Sequence, residues 1–295
     1  MSASIEILAQ RSKLLRSVRD FFYNNNFIEV ETPVKIPAPA PEEYIESVLA
    51  EKEFLRTSPE LAMKVLLVNG AEKIFQMGSC FRANEFGSRH REEFTMLEYY
   101  AKDWDYRQLA IFTANLFAYC ANNLTGNGII NYHDKVINFN NYEFISVDQA
   151  FQKYANVSAF DADKDDTFDE IMVTKVEPYL GQSGLTFLID YPASRASLSR
   201  ISATDSKVAE RWEIYAAGME LGNAFGELTC ATEQKARFKA ALKFRESMNM
   251  HPYPEPTEFY AALDKGLPDS SGCAIGIDRF AMLLFGIYDI GEVRA

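Results

Sequence analysis

The sequence has 295 residues, of which 47% are hydrophobic and 24% charged, a composition typical of a folded protein with one large domain. No apolar run approaches the roughly 20 residues of a membrane-spanning helix, and the N-terminus lacks a signal-peptide layout, so we expect a cytoplasmic protein without membrane contact. The four cysteines are far apart, which argues against a disulfide framework and a zinc site. Acidic residues outnumber basic ones 42 to 30, which disfavours a nucleic-acid partner.

The first third of the chain predicts short elements around a proline-rich loop. Apolar residues recur at helical spacing after Ser12, a typical capping residue, and a run of asparagines follows them. A short β-rich run then ends at Pro33, where the missing amide proton interrupts a strand. The predicted elements are a helix at 12–24, a strand at 27–31, a proline-rich loop at 37–41, a hairpin with strands at 45–49 and 54–56, and a helix at 61–68.

The middle of the chain predicts two longer strands and a helix. A charged loop joins the strands, and the apolar positions of the next segment fall on one side of a helix. A cluster of aspartates further along is expected to be a solvated loop that caps a helix. The predicted elements are strands at 73–81 and 93–102, a helix at 108–124, the acidic loop at 161–166 and a strand at 186–190.

The loop between the two strands is the strongest local signal of chemistry. Its sequence from Phe81 to Phe94 is FRANEFGSRHREEF, with Arg82 at the strand end and two further arginines and a histidine beyond it. Guanidinium groups bind phosphate oxygens through paired hydrogen bonds, so a cleft lined by this loop suits a phosphate-bearing ligand. For any single arginine a solvated hairpin loop is the simpler explanation, whereas the whole set favours a function.

Alternation along the returning strand places two polar side chains on one face. Glu98 and Tyr100 share that face with Phe94 and Met96. If the face is buried, Glu98 needs a cationic or hydrogen-bonding partner, because an isolated buried carboxylate is costly. An ammonium-bearing substrate would supply one, and so would a structural arginine nearby.

Two carboxylates flank an asparagine in the glycine-rich segment 218–228. Glu220 and Glu227 would be costly in this apolar run unless they bind a metal or an ammonium group, and Asn223 lies between them. An edge strand with both carboxylates in water explains the segment equally well, so the sequence leaves the two interpretations even.

Small residues followed by an arginine mark the segment 272–279. Its small side chains would let a ligand approach the backbone closely. Arg279 lies in the first turn of a predicted helix, where the helix dipole favours anions rather than cations. It therefore either pairs with Asp278, the commoner case, or binds an anionic ligand.

Taken in this order, these segments resemble the three signature motifs of the class II aminoacyl-tRNA synthetases, most closely those of the lysyl branch. The helix and strand ending at Pro33 look like motif 1, residues 81–100 like motif 2, and 276–279 like motif 3. The segments 57–60 and 220–223 between them are also similar. Three motifs in order, over nearly the whole chain, make the resemblance specific.

The resemblance implies an α+β fold in which an antiparallel β-sheet is flanked by helices. It implies a single catalytic domain over residues 1–295, with motif 1 at a homodimer interface. Lysyl-tRNA synthetases carry an additional N-terminal anticodon-binding barrel, whereas here motif 1 lies close to Met1. We therefore expect no anticodon-binding domain, and this disfavours tRNA as a partner.

Three features resemble those of the elongation factor P lysine ligases. They are the missing anticodon-binding module, the segment 191–198, and Ala274 where lysyl-tRNA synthetases usually have glycine. These paralogues of lysyl-tRNA synthetase attach β-lysine to a lysine side chain of elongation factor P. The resemblance thus implies elongation factor P and a lysine-like amino acid, (R)-β-lysine, as partners, with ATP and Mg²⁺ as cofactors. An aminoacyl-adenylate would form first, and an amine would then attack its carbonyl.

The resemblance also assigns roles to the motif residues. Arg82 and Arg279 would neutralise phosphates, Glu220 would help to hold Mg²⁺, and Phe94 would stack on adenine. The residues expected to be catalytic are Arg82, Glu220 and Arg279; at the nucleotide, Arg82, Ala83, Asn84, His90, Arg91, Phe94, Glu220, Leu221, Gly276 and Arg279; at the amino acid, Ser58, Pro59, Glu60, Glu98, Tyr100, Asn223, Glu227 and Ala274.

Two departures from the family pattern concern adenine recognition. Asn84 stands where motif 2 usually has glutamate, and Arg91 where close relatives often have asparagine. A truncated lysyl-tRNA synthetase that charges tRNA and an inactive regulatory paralogue that binds a lysine-like ligand are the two alternatives. The presence of Arg82, Glu220, Glu227 and Arg279 argues against the inactive one.

Overall fold

An eight-stranded β-sheet organises the computed structural model, which describes residues 3–294. In chain order the strands of this part are β1 (Ile28–Glu29), β2 (Lys35–Ile36), β3 (Leu49–Ala50), β4 (Glu53–Leu55), β5 (Lys73–Phe81), β6 (Glu93–Lys102), β7 (Ile129–Tyr132), β8 (Lys135–Asn138), β9 (Tyr142–Ser146), β10 (Leu185–Pro192), β11 (Val208–Ala216), β12 (Met219–Gly226) and β13 (Ser270–Gly276). The helices are α1 (Ile5–Asn24), α2 (Glu60–Val68), α3 (Tyr106–Thr125), α4 (Val147–Ala155), α5 (Ala159–Lys164), α6 (Phe168–Ile171), α7 (Ala231–Ser247), α8 (Thr257–Leu263) and α9 (Ile277–Phe285).

The large sheet has the strand order β1-β5-β6-β13-β12-β11-β10-β9. Its six central strands are, in sheet order, β5, β6, β13, β12, β11 and β10. Each of them is antiparallel to its neighbours within this set, as the sequence predicted. The prediction is wrong at both edges, where β1 is parallel to β5 and β9 is parallel to β10. Each parallel pair is joined by a connection that contains helices, which is what a parallel crossover requires. The sheet is therefore mixed, within the α+β class that the sequence predicted.

One face of the sheet is covered by α1, α3 and α9, which form the main hydrophobic core with it. Leu14, Val18 and Phe22 of α1 are buried because they lie on one side of an amphipathic helix. Phe22 stacks on Phe75 of β5, with ring centroids 4.5 Å apart. Two smaller apolar clusters support the ends of the opposite face, one with α4 to α6 and the other with α2 and α8. Between these two clusters, the opposite face of the sheet carries polar side chains.

The sequence located most elements, with errors at some ends. The predicted strands at 73–81 and 93–102 coincide with β5 and β6. The first helix begins earlier than predicted because Ser4, and not Ser12, caps it, its hydroxyl accepting from the Ile7 amide at 3.2 Å. The predicted acidic loop at 161–166 is wrong, since most of it belongs to α5, which Ser158 caps. The short helix is solvated and rich in charged residues, so its composition is similar to that of a loop.

The thiols of Cys80, Cys120, Cys230 and Cys273 are free, and three of the four, all except Cys230, are buried. Within residues 3–294 no helix is both long and apolar enough to cross a membrane.

An ion pair ties the first helix to the last. Arg11 of α1 lies 2.6 Å from Asp278 of α9, and their side chains are 10% and 2% exposed. Arg11 also donates to the hydroxyl of Thr95, and Asp278 accepts from the Thr95 amide at 2.8 Å. Removing one member of such a pair leaves the other charge buried without a partner.

We therefore expect Arg11→Met to lower the free energy of unfolding by about 3 to 5 kcal/mol. Urea denaturation followed by circular dichroism measures this change. Arg16→Met on the exposed side of the same helix is the matched control, with an expected change within about 0.5 kcal/mol. Equal effects of the two substitutions would contradict the assigned role of the pair.

Candidate active site

Strand register brings polar side chains together on the open face of the sheet. Glu98 of β6 pairs with Ala274 of β13, which pairs with Asn223 of β12, which pairs with Glu213 of β11. Because paired residues point to the same side, these four form one row across the sheet. Glu98, Asn223 and Ala274 were predicted to lie at one site, and the row brings them together.

The adjacent row contains Tyr100, Gly272, Phe225 and Arg211 in the same order of strands. The segment that contains Glu220 and Asn223 is thus an interior strand, hydrogen-bonded on both sides. The edge-strand interpretation of this segment is wrong.

A β-bulge in β12 explains how Glu220 and Asn223, three residues apart, share one face. Gly222 pairs with Ile214 and Glu220 pairs with Tyr215, so Leu221 is an extra residue without a partner opposite. The bulge turns Glu220 toward the cleft and sends the Leu221 side chain into the core, where it is 1% exposed. Leu221 was predicted at the nucleotide, and its backbone is the part that can meet a ligand.

A cavity of about 210 Å³ occupies one end of this face. It brings together ten of the residues predicted at the nucleotide or the amino acid: Arg82, His90, Arg91, Phe94, Glu220, Leu221, Asn223, Ala274, Gly276 and Arg279. The cavity lining does not include Ala83 and Asn84. The Ala83 amide donates to the Glu46 carbonyl at 2.7 Å, and the Asn84 amide to the Glu92 carboxylate at 2.9 Å. These two residues therefore shape the loop beside the cavity.

Arg279 is fixed in the cavity by contacts from three directions. Its Nη1 donates to the Glu220 carbonyl at 2.9 Å, its Nε to the Arg89 carbonyl at 3.3 Å, and its Nη2 lies 2.6 Å from His90 Nε2. Burial and the Arg279 charge lower the pKa of His90, so the imidazole is neutral. The commoner interpretation, a pair with Asp278, is wrong because Asp278 pairs with Arg11. The guanidinium is held where an anion can meet it.

Arg82 provides a second cation on the same cavity. Its guanidinium lies over the Phe94 ring, 5.2 Å from the centroid, and its nearest carboxylate oxygen, on Glu85, is 3.9 Å away. The Arg82 Nε is buried without a hydrogen-bond partner among the described residues. An unpartnered buried donor on a polar cavity fits an oxyanion ligand, since such a ligand would satisfy it.

A cluster of buried charges lies at the other end of the face. We call the carboxylates of Glu60, Glu98 and Glu227, the ammonium of Lys64 and the phenol of Tyr100 the charge cluster; each of these residues is at most 9% exposed. The Lys64 Nζ lies 2.5 Å from a Glu60 oxygen and 2.6 Å from a Glu227 oxygen. The Tyr100 hydroxyl donates to Glu98 at 2.5 Å. Three carboxylates face one ammonium, so the fully ionised cluster carries a formal charge of −2.

The carboxylates of the charge cluster hold protons more strongly than usual. Burial, together with repulsion by Glu60, raises the pKa of Glu98 to about 8, although the Tyr100 hydrogen bond opposes this. Burial raises the pKa of Glu227 to about 7 against the attraction of Lys64. Burial alone would lower the pKa of Lys64, but its two carboxylate partners raise it above the ordinary value. One Glu98 oxygen has no hydrogen-bond partner among residues 3–294.

Two other predicted residues lie at the start of α2, beside the charge cluster. The Ser58 hydroxyl accepts from the Glu60 amide at 2.9 Å, and Pro59 precedes the first helical residue. This turn orients Glu60 toward Lys64. Sequence reasoning missed Lys64, although its i,i+4 spacing from Glu60 on a predicted helix was the signal that could have found it.

Glu213 is a further carboxylate that sequence reasoning missed. It lies in the same row as Asn223, next to Glu220 in space, and burial together with the Glu213 charge raises the pKa of Glu220. No group of three or more His, Cys, Asp or Glu side chains among the described residues is arranged to hold a metal. Two carboxylates beside a cavity lined by arginines nevertheless fit Mg²⁺, which is usually bound by one or two carboxylates, substrate phosphates and water.

The sequence matches the family described as tRNA synthetases class II (D, K and N) over residues 2–295. A protein of Proteus mirabilis is 35% identical over 326 aligned residues, which cover all of this chain and 95% of that protein. A protein of Pseudoalteromonas translucida is 36% identical, with 100% and 96% covered, and one of Klebsiella pneumoniae is 34% identical, with 100% and 95% covered. All three are named elongation factor P--(R)-beta-lysine ligase. The chain therefore belongs to the class II tRNA synthetase family and, within it, to the group of the elongation factor P--(R)-beta-lysine ligases.

Proposed function

We propose that the chain is an ATP-dependent ligase that activates (R)-β-lysine as an adenylate and transfers it to a lysine side chain of elongation factor P. The names of the full-length relatives support the amino acid and the acceptor. The observation that carries the proposal is a buried cluster of three carboxylates and one ammonium next to a cavity lined by four arginines, Arg82, Arg89, Arg91 and Arg279. A diamino acid has two ammonium groups that the carboxylates can bind, and ATP has phosphates that the guanidinium groups in the cavity can bind.

The cationic cavity supports the first half-reaction. A carboxylate oxygen of the amino acid attacks the α-phosphorus of ATP, and pyrophosphate leaves. Arg82 and Arg279 neutralise the phosphate oxygens, and the fixed position of Arg279 means that little reorganisation is needed as charge develops. Phe94 lines the same cavity, and we assign its ring as the stacking surface for adenine. Positioning of the two reactants accounts for much of the rate.

Glu220 is the residue we propose to hold Mg²⁺, with Glu213 beside it. The ion would supply positive charge to the phosphate oxygens when bound. Burial and, after it, the Glu213 charge raise the pKa of Glu220, and a bound cation would oppose both effects. Arg279 contacts the Glu220 carboxylate at 3.4 Å, which holds the carboxylate toward the phosphate end of the cleft.

The charge cluster supports recognition of a lysine-like amino acid. Glu98 and Glu227 offer carboxylate oxygens to ammonium groups, and Lys64 keeps Glu60 and Glu227 in place. An apolar or acidic amino acid would leave this buried charge uncompensated, which is costly. Ala274 lies between Glu98 and Asn223 in the same row, where its methyl group shapes the floor of the pocket and favours the β-amino isomer.

The remaining parts of the proposal concern assembly and location. A homodimer through the motif 1 region is supported by large side chains that lie exposed at the β1 edge, with Tyr23 51% and Ile28 64% exposed. Elongation factor P, and not tRNA, is the proposed acceptor, and the proposed location is the cytoplasm.

Arg279→Ala is expected to lower ATP–pyrophosphate exchange at least about 100-fold, because it removes a fixed cation from the developing charge. The exchange assay uses β-lysine, ATP and Mg²⁺. Arg107→Ala is the control, since Arg107 is half exposed and pairs with Asp190 away from the cleft. Full exchange activity of the Arg279 variant would show that this assignment of the site is wrong.

Binding of β-lysine is expected to release protons at pH 7. The raised pKa values of Glu98 and Glu227 mean that the empty pocket is partly protonated, and an arriving ammonium group favours the ionised form. Affinity should therefore fall as the pH falls from 8 to 6. Calorimetry in two buffers of different ionisation enthalpy measures the release.

Glu98→Gln is the matched variant in that experiment, and it should remove the part of the proton release that is due to Glu98. ATP binding to the same protein serves as the internal control, because the nucleotide does not meet the charge cluster. Heats of β-lysine binding that are independent of the buffer would argue against the proposed pocket.

Label from β-lysine is expected on elongation factor P when the protein is incubated with ATP, labelled α- or β-lysine, and either the factor or tRNA from the same cell. Mass and label on each acceptor are measured. Ala274→Gly should shift preference toward α-lysine by about tenfold, because a methyl-sized change is worth about 1 to 3 kcal/mol. Label on tRNA and none on the protein factor would restore the lysyl-tRNA synthetase alternative.

A further inference from the structure

A second cavity, of about 180 Å³, lies beside β11 on the open face of the sheet, and we call it the inner cavity. Glu213, the β11 member of the row that begins at Glu98, lines it. Neighbouring strands lie about 4.8 Å apart, so three strand spacings put Glu213 roughly 14 Å from Glu98. The inner cavity shares Glu220 with the cavity of Arg82 and Arg279. It therefore meets the nucleotide site on the side opposite the charge cluster.

Apolar side chains form one wall of the inner cavity. Phe168, Met172 and Val173 line it from α6 and the residues that follow, and the Tyr191 ring lines it from β10. Phe168 and Met172 are buried in the apolar cluster with α4 to α6, whereas Val173 is 60% exposed. An alkyl chain lying along this wall would remove apolar surface of both partners from water, which is favourable.

The opposite wall presents a carboxylate and a hydroxyl that can bind a cation. Glu177 is partly buried; among residues 3–294 its side chain contacts the Tyr215 hydroxyl at 3.3 Å and forms no ion pair. The Tyr191 residue is 3% exposed, and its hydroxyl has no hydrogen-bond partner in the same part of the chain. A buried hydroxyl of this kind calls for a partner, and an ammonium group can donate to both oxygens.

The two arginines on the inner cavity already have carboxylate partners. Arg195 lies 2.6 Å from an Asp163 oxygen, and Arg211 lies 2.7 Å from a Glu213 oxygen. These pairs leave Glu177 as a carboxylate without a cation among the described residues. The inner cavity thus favours a cationic ligand over an anionic one.

A larger cavity, of about 770 Å³, leads from the inner cavity to the surface, and we call it the outer cavity. The two cavities share Asp169, Arg195 and Arg211. Six carboxylates and three arginines line the outer cavity, and the carboxylates are those of Glu42, Glu43, Asp163, Asp166, Asp169 and Glu233. A cleft lined mainly by negative charge raises the local concentration of cations, so it attracts an ammonium group to the inner cavity.

We propose that the inner cavity is the binding site for the acceptor lysine side chain, an inference that rests on the proposed function. The outer cavity admits this side chain, its methylene groups lie along the apolar wall, and its ammonium group donates to Glu177 and Tyr191. The nucleotide and the donor amino acid occupy the other two parts of the cleft. The acceptor therefore reaches the acyl carbon from the side that neither of them fills.

The transfer step follows from this placement. The acceptor ammonium gives one proton to water, and the nitrogen lone pair forms the C–N bond to the acyl carbon. The C–O bond to the phosphate oxygen breaks, and AMP leaves with that electron pair. The second proton passes from nitrogen to water as the amide forms.

The test narrows the inner cavity with Val173→Trp. Thr174→Trp is the matched control, because it places the same side chain on the next residue, which is exposed and outside the cavity lining. Three reactions are measured with ATP and β-lysine: pyrophosphate exchange, hydroxamate formation with hydroxylamine, and transfer to elongation factor P. Hydroxylamine is small and neutral at pH 7, so it needs no site for an alkylammonium group. We expect Val173→Trp to lower transfer about 100-fold, as a misplaced reactant does, and to leave the other two reactions within about twofold.

Alkylamines test the inner cavity without the acceptor protein. n-Butylamine has the chain and the ammonium group of a lysine side chain, whereas methylamine has the ammonium group and no chain. The wild-type protein should use n-butylamine with a kcat/KM about tenfold higher than methylamine, because the longer chain is buried against the apolar wall. Tyr191→Phe should raise the KM for n-butylamine about tenfold with little change in kcat, because it removes a hydrogen bond to a charged group.

Four results would each overturn the inference. They are transfer by Val173→Trp at the wild-type rate, an equal loss of exchange in that variant, no preference for n-butylamine over methylamine, and an unchanged KM in Tyr191→Phe. Absence of exchange in the wild-type protein would instead overturn the proposed function.

Discussion

Three carboxylates on one buried patch of a sheet would repel one another strongly without a cation among them, and Lys64 is that cation. Its ammonium lies within 2.6 Å of both Glu60 and Glu227, which come from a helix and from the end of a strand. A buried pair or triad of this kind adds little net stability, but it fixes where each charge lies. The geometry of this end of the cleft follows from this one side chain, because Lys64 determines which carboxylate oxygens remain free for a ligand.

The two ends of the cleft have opposite electrostatic character, and the antiparallel register keeps them at a fixed separation. Cations line the end with Arg82 and Arg279, and anions line the end with Glu98 and Glu227. Arg82 directly follows β5, Arg279 lies in the first turn of α9, Glu98 lies in β6 and Glu227 directly follows β12, so the paired strands set the separation of the two ends. A substrate with a phosphate at one end and amines at the other, such as a lysyl-type adenylate, is complementary to this arrangement.

The sequence predicted what depends on local pattern. The two long strands, the shared face of Glu98 and Tyr100, and the position of Arg82 and Arg279 on one cavity followed from alternation, composition and motif order. Pairing partners could not be predicted in this way, because they depend on which strands become neighbours. Arg11 pairs with Asp278 across most of the chain length, and that pairing is what frees Arg279.

Other features were missed for identifiable physical reasons. The bulge at Leu221 breaks the period of two, so alternation alone would have assigned Glu220 to the core. The parallel edge strands depend on crossovers whose direction a single sequence does not specify. Lys64 could have been predicted, because its i,i+4 spacing from Glu60 can be read from the sequence.

Gly272 and Ala274 lie two residues apart on the same face of β13, yet the two positions differ in the side chain that they can accommodate. A β-carbon at Gly272 would lie 2.2 Å from the Tyr100 ring and 2.6 Å from a Glu227 oxygen, so every larger residue is excluded there unless the ring moves. At Ala274 a methyl group is already accommodated. Position 272 must therefore stay a glycine as long as the Tyr100 ring lies against Glu98, whereas position 274 accepts a β-carbon without that constraint.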